Sequence, residues 1–99
     1  MLDDKIIMTG IDQNSQCHHN IHRQLRSLLE DAPSDASVKF KHFVEAEGNT
    51  TIMKVYSQQG KFVASLGNQT DNESTCKELC KEIRKQLVIW KSKRFQHCS

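Results

Sequence analysis

The sequence predicts an α+β fold, ordered β-α-β-β-β-α: a four-stranded sheet with two helices packed on one face. Three observations carry that expectation. Residues 37–45 alternate between apolar and polar side chains, the period of a half-buried strand. Two β-branched or aromatic runs, 50–57 and 61–66, follow at hairpin spacing with glycine-containing turns between them. Apolar residues recur every three or four positions near both ends of the chain, as in amphipathic helices. At 99 residues the expectation is one domain, 1–99, with one modest core.

Taken in order, residues 5–9 (KIIMT) are a short apolar run closed by Gly10, read as the first strand. Asp12, Asn14 and Ser15 are candidate helix caps. Cys17, Ile21, Leu25, Leu28 and Leu29 mark an amphipathic helix over 15–31, ended by Pro33 and Ser34-Asp35. In 37–45 (SVKFKHFVE), Val38, Phe40, His42 and Val44 share one face, and Lys39, Lys41, Phe43 and Glu45 the other. Glu47-Gly48-Asn49 is a turn, 50–57 (TTIMKVYS) a strand, Gln58-Gln59-Gly60 a hairpin loop and 61–66 (KFVASL) a strand. Gly67-Asn68-Gln69 breaks that strand. Thr70 and Glu73 have capping-box spacing and open the last helix, which runs to about residue 94. Its buried stripe is Cys76, Leu79, Cys80, Ile83, Leu87 and Trp90. The first strand joins the hairpin-linked sheet after a helical crossover. Helices on one face leave the other to solvent or to a partner.

The net charge is only +2, but it is unevenly spread. Residues 77–94 carry Lys77, Lys81, Arg84, Lys85, Lys91, Lys93 and Arg94 against Glu78 and Glu82, a local +5 that leaves −3 on the rest. A basic element on a mildly acidic body points to an anionic partner. Lys77, Lys81, Arg84, Lys85 and Lys91 lie away from the apolar seam, and the first helix adds Arg23, Arg26, His19 and His22. If the helices pack side by side, these form one cationic surface of the kind phosphate contacts require. Lys39, Lys41, Lys54 and Lys61 add charge on or near the sheet. The competing reading is an ordinary solvated helix on which Glu78 and Glu82 pair with neighbouring lysines. Trp90, Phe40, Phe43, Phe62 and Tyr56 are read as core.

Other chemistries find little support. Cys17, His18, His19 and His22 cluster, and Cys76 and Cys80 are four apart, but the ligand spacing does not suit a structural zinc site. His97-Cys98 near the end does not complete one. No metal or cofactor is expected. Neighbouring Cys17 and His18 point in different directions on a helix and make no dyad. No phosphate-binding glycine loop or nucleophile elbow occurs, so no enzyme activity is expected. No apolar run approaches the ~20 residues of a membrane helix, and the acid-containing N-terminus is unlike a signal peptide. The expectation is a cytoplasmic protein with reduced thiols.

Several short stretches resemble the short ribosome hibernation-promoting factors, also called sigma-54 modulation or ribosome-associated inhibitor proteins. "IIMTG" is similar to the family's first strand, and "QQGKFVAS" to its glycine hairpin and following strand. "EIRKQLVIWKSKRFQH" is similar to its closing helix, with Ala64-Ser65, Lys85-Gln86-Leu87, Lys91, Lys93 and His97 as anchors. The resemblance spans nearly the whole chain. It implies a fold similar to a double-stranded-RNA-binding domain. It also implies a protein, monomeric when free, that binds ribosomal RNA of the small subunit in the messenger and transfer RNA channel and blocks translation under stress. The contacts would fall to Lys77, Lys81, Arg84, Lys85, Lys91, Lys93 and Arg94, with Arg23 and Arg26. Two stretches depart from the family pattern: "LLEDAPSD" is acidic where the family's first helix ends in lysines, and "DNESTCKELC" lacks its aromatic and alanines. No dimerising C-terminal extension is expected. The alternative expectation is a protein-interaction module of the same fold that no longer binds ribosomes.

Overall fold

A computed structural model describes residues 5–97, with side chains described through residue 93. The elements are β1 (Ile6–Thr9), α1 (Gln16–Asp31), β2 (Ser37–Glu45), β3 (Gly48–Ser57), β4 (Gly60–Gly67) and α2 (Asn72–His97). The sheet has the order β1-β2-β3-β4. β1 runs parallel to β2, which only a crossover such as α1 permits, and the two hairpins are antiparallel.

Register decides what each face presents. Ile6, Val38, Val55 and Phe62 form one cross-strand row, and Met8, Phe40, Met53 and Ala64 the next. Both rows face the helices and join one core with Ile21, Leu25 and Leu28 of α1 and Cys76, Leu79, Ile83 and Leu87 of α2. The core helix residues match the predicted stripes. Trp90 is half-buried at the rim, its ring edge-on to Phe62 at 6.3 Å between centroids. Val44 shares the parity of Phe40 but is 78% exposed. Among the described residues, no helix is long and apolar enough to cross a membrane.

Several boundaries differ from expectation by one to three residues. β3 and β4 start earlier, because Gly48 pairs with Glu45 and Gly60 with Ser57. α2 continues to His97. Its cap is Asp71 rather than a Thr70–Glu73 box: Asp71 Oδ1 accepts from Glu73 N–H at 3.1 Å and Oδ2 from the Ser74 hydroxyl at 2.7 Å. The Glu73 carboxylate instead accepts from Asn20 Nδ2 at 2.8 Å, tying α2 to α1. Ser15 caps α1, its hydroxyl accepting from His18 N–H at 3.0 Å.

The hydrogen bonds from the Ser74 hydroxyl and the Glu73 N–H hold the Asp71 carboxyl below its usual value. A depressed folded-state value means that the contribution to stability is present above the unfolded value of about 3.9 and is lost as pH falls through the folded one. Asp71→Asn, which keeps a capping oxygen, therefore melts at a lower temperature than the parent at neutral pH, and thermal scans show the gap closing below about pH 4. Gly10 is more demanding. Its φ is +88°, and a Cβ there would sit 1.8 Å from the His42 carbonyl oxygen. Gly10→Ala must shift β1 against β2, and urea unfolding registers a loss of more than about 1 kcal/mol.

Candidate functional site

α1 and α2 lie side by side, and polar rungs fill the seam outside the core. Beyond the Asn20–Glu73 bond, Arg84 Nε donates to Asp31 Oδ2 at 3.2 Å and Arg84 Nη2 to Ser27 Oγ at 3.3 Å. Asn20, Ser27 and Asp31 reach α2 because seven- and four-residue steps keep them on one side of α1. Lys77, Lys81 and Arg84 line a groove between the helices with Gln24 and Ser27. Arg23 and Arg26 line an adjoining hollow with His19, His22, Ser27 and Glu30. Ser27 borders both, so the two cationic groups are neighbours across the α1 ridge.

The expected site residues divide when placed on the structure. Lys77, Arg84 and Lys91 are seven residues apart, two turns each, and share one line along α2. Lys85 stands on the solvent crest. Lys93 falls on the row of Glu82 and Gln86, the flank nearest β4, where Gln86 Nε2 donates to the Val63 carbonyl at 2.9 Å. The side chains of Arg94 and His97, and all of Cys98, lie outside the described residues.

Charge on this surface is mixed. Arg84 pairs with Asp31 at 3.2 Å, Lys81 with Glu78 at 3.4 Å and Lys85 with Glu82 at 3.8 Å. Among the described residues, Arg23, Arg26, Lys77, Lys91 and Lys93 have no carboxylate at ion-pair distance. Exposed pairs of this kind contribute about 0–1 kcal/mol, so a polyanion can compete for their cations. The acidic end of α1 therefore does more than depart from a family pattern: it supplies Arg84 with a counter-ion.

The thiols and imidazoles are placed for packing. Cys76 and Cys80 are buried, with sulfurs 4.0 Å apart. Their shared hydrogen bond and burial push the Cys76 thiol far up, so it stays protonated. Burial raises Cys17 as well, with Glu73 and Asp71 adding to the effect. Neither Cys17 nor Cys76 has the electropositive setting of an activated thiol. The His18 and His22 rings stack at 6.3 Å between centroids. Among the described residues, no group of three His, Cys, Asp or Glu side chains could hold a metal ion.

Sequence reasoning undervalued the opposite surface. Phe43 and Tyr56, expected in the core, are half-exposed on the outer sheet face among Lys39, Lys41, Lys54 and Lys61. The signal was available: Phe43 has the parity of Lys39 and Lys41, and the lysines mark the solvent side.

No family model matches the sequence, and no curated protein matches it. Solved structures do share the fold. A ribosomal subunit interface protein from Coxiella burnetii superposes with a TM-score of 0.66 at 17% identity, over 88% of this chain and 97% of that one. The N-terminal domain of Thermus thermophilus Protein Y gives 0.64 at 8% identity, over 83% and 91%. At these identities the likeness establishes the fold. The fold that the sequence motifs imply by resemblance is thus the fold of a ribosomal subunit interface protein.

Asp31→Asn leaves Arg84 without its counter-ion. The variant elutes from heparin at higher salt than the parent, and its unfolding free energy falls by less than about 1 kcal/mol.

Proposed function

We propose that this chain is a ribosome-associated translation inhibitor that binds small-subunit ribosomal RNA through its helix surface. Binding there would occlude the channel used by messenger and transfer RNA. The observation that carries the reading is the helix pair itself. Lys77, Lys81 and Arg84 line its groove, Arg23 and Arg26 stand beside it, and the fold is shared with a ribosomal subunit interface protein. Mobile cations spaced along packed helices contact phosphates and release counter-ions, without reading sequence. The inhibition proposed is steric, so no catalytic group is required. The cytoplasm is its proposed location, and the free protein is proposed to be a monomer.

A second reading rests on the Arg84–Asp31 pair and the neighbouring Lys81–Glu78 and Lys85–Glu82 pairs. If these pairs hold against RNA, the domain is an interaction module that has kept the fold without the ribosome contact.

Co-sedimentation with purified small ribosomal subunits across a salt series separates the two. On the leading reading, pelleting saturates and its logarithmic affinity falls with log salt at a slope of about −4 for roughly six phosphate contacts. Changing Lys77, Lys85 and Lys91 together to Glu abolishes it while the thermal transition is kept. Absence of pelleting at low salt, or pelleting that the triple variant leaves unchanged, rejects the helix surface as the contact.

A further inference from the structure

The outer face of the sheet is a second surface, opposite the helices, and the proposed ribosome contact does not use it. Register sets Lys39 directly across from Lys54, Lys41 across from Ile52, and Tyr56 across from Lys61. Lys39, Lys41, Phe43, Ile52, Lys54 and Tyr56 together line a shallow depression of about 250 Å³. The ammonium groups of Lys39 and Lys61 lie 6.0 and 5.5 Å from the centre of the Tyr56 ring, and that of Lys41 lies 5.6 Å from the Phe43 ring.

Two features set this face apart from the helix surface. First, none of its four lysines, 39, 41, 54 and 61, has a carboxylate at ion-pair distance among the described residues. By strand parity Glu45 shares the face, but it sits at the hairpin end beyond Phe43. Asp35, at the other end, accepts from the Gln58 N–H. Secondly, like charges directly across a strand pair destabilise a sheet, and the Lys39–Lys54 pair does so with no acid at ion-pair distance among the described residues. A bound polyanion supplies the missing counter-charge.

We propose that this face binds single-stranded RNA, its phosphates held by Lys39, Lys41, Lys54 and Lys61 and its bases stacked on Tyr56 and Phe43. A cationic track combined with accessible rings is how proteins hold unpaired nucleic acid without sequence preference. A duplex hides the faces of its bases and cannot use the rings. An acidic peptide matches the lysines but has no use for two aromatic platforms. A base landing on Tyr56 displaces the ammonium groups from the ring and frees them for the flanking phosphates. This inference rests on residues other than those of the helix surface and stands or falls independently of it.

The test is fluorescence anisotropy with labelled oligouridine of about 12 nucleotides and an RNA duplex of equal length. With the helix contact removed by changing Lys77, Lys85 and Lys91 to Glu, the protein binds oligouridine more tightly than duplex. Tyr56→Leu weakens oligouridine binding by about tenfold. Combined Lys39→Gln and Lys54→Gln reduces the slope of log affinity against log salt by about 1.4. That double variant relieves a like-charge pair, so its thermal midpoint is at or above the parental one and lost binding cannot be blamed on lost folding. The helix triple variant of Lys77, Lys85 and Lys91 keeps oligouridine binding, and the sheet variants keep small-subunit pelleting if the parent pellets. The proposal is overturned if duplex binds the helix triple variant as tightly as oligouridine does. It is equally overturned if the sheet variants bind like the parent, if the helix variant alone loses binding, or if oligoglutamate binds as well as oligouridine.

Discussion

Packing of α1 and α2 on one face of the sheet is the constraint from which the other features of the molecule follow. The rows of Ile6, Val38, Val55 and Phe62 and of Met8, Phe40, Met53 and Ala64 meet Ile21, Leu25 and Leu28 on one helix and Leu79, Ile83 and Leu87 on the other. Each such large side chain contributes about 1.5–3 kcal/mol on burial, more than an exposed ion pair of this surface. Packing therefore sets the helix positions, and the polar seam adjusts to them. With both helices on one side, no described element covers the outer sheet face. Long lysines tolerate that position, since their stems lie along the sheet while their charges stay in water.

The seam between the helices shows how structural and binding demands meet in one residue. Arg84 bonds to Ser27 and Asp31 of α1, so it joins the helices and also faces the groove shared with Lys77 and Lys81. Its side chain is 41% exposed and that of Asp31 is 51% exposed. Water and salt therefore screen the pair, and the arginine can be recruited by a stronger anion. Recruitment leaves Asp31 close to that anion, which opposes binding. The strength of the helix surface thus depends on an acid in the adjoining helix as much as on its own cations.

The two faces solve the same electrostatic problem differently. On the helix face, Glu78, Glu82 and Asp31 lower the local potential by pairing in place. On the sheet face, Lys39 and Lys61 rest over the Tyr56 ring and Lys41 over Phe43, so aromatic quadrupoles take the part that carboxylates take elsewhere. A ring placed there holds the lysines back from one another and also offers a flat apolar surface. This coincidence gives the open face a chemical character that charge alone does not.

Periodicity by itself determined the element order, the helix stripes and the strand parity, because each depends only on which residues share a face of their own element. It reached Ile21, Leu25, Leu28, Leu79, Ile83 and Leu87 in the core, and it placed Phe43 beside Lys39 and Lys41. It misread the cap of α2 because Thr70 and Asp71 both carry a side-chain oxygen able to accept from the first N–H groups of a helix, and the backbone path selects Asp71. It took Tyr56 for core because aromatic residues usually are, whereas the pairing with Lys61 and the Lys39 ammonium over the ring show which side it occupies. Nor does one-dimensional spacing show that Asp31 lies against Arg84, fifty-three residues away. The sequence alone thus determined which side chains each element presents. Tertiary structure decided which of those surfaces meet and which cations keep a counter-ion, because these depend on distances between elements that no local period contains.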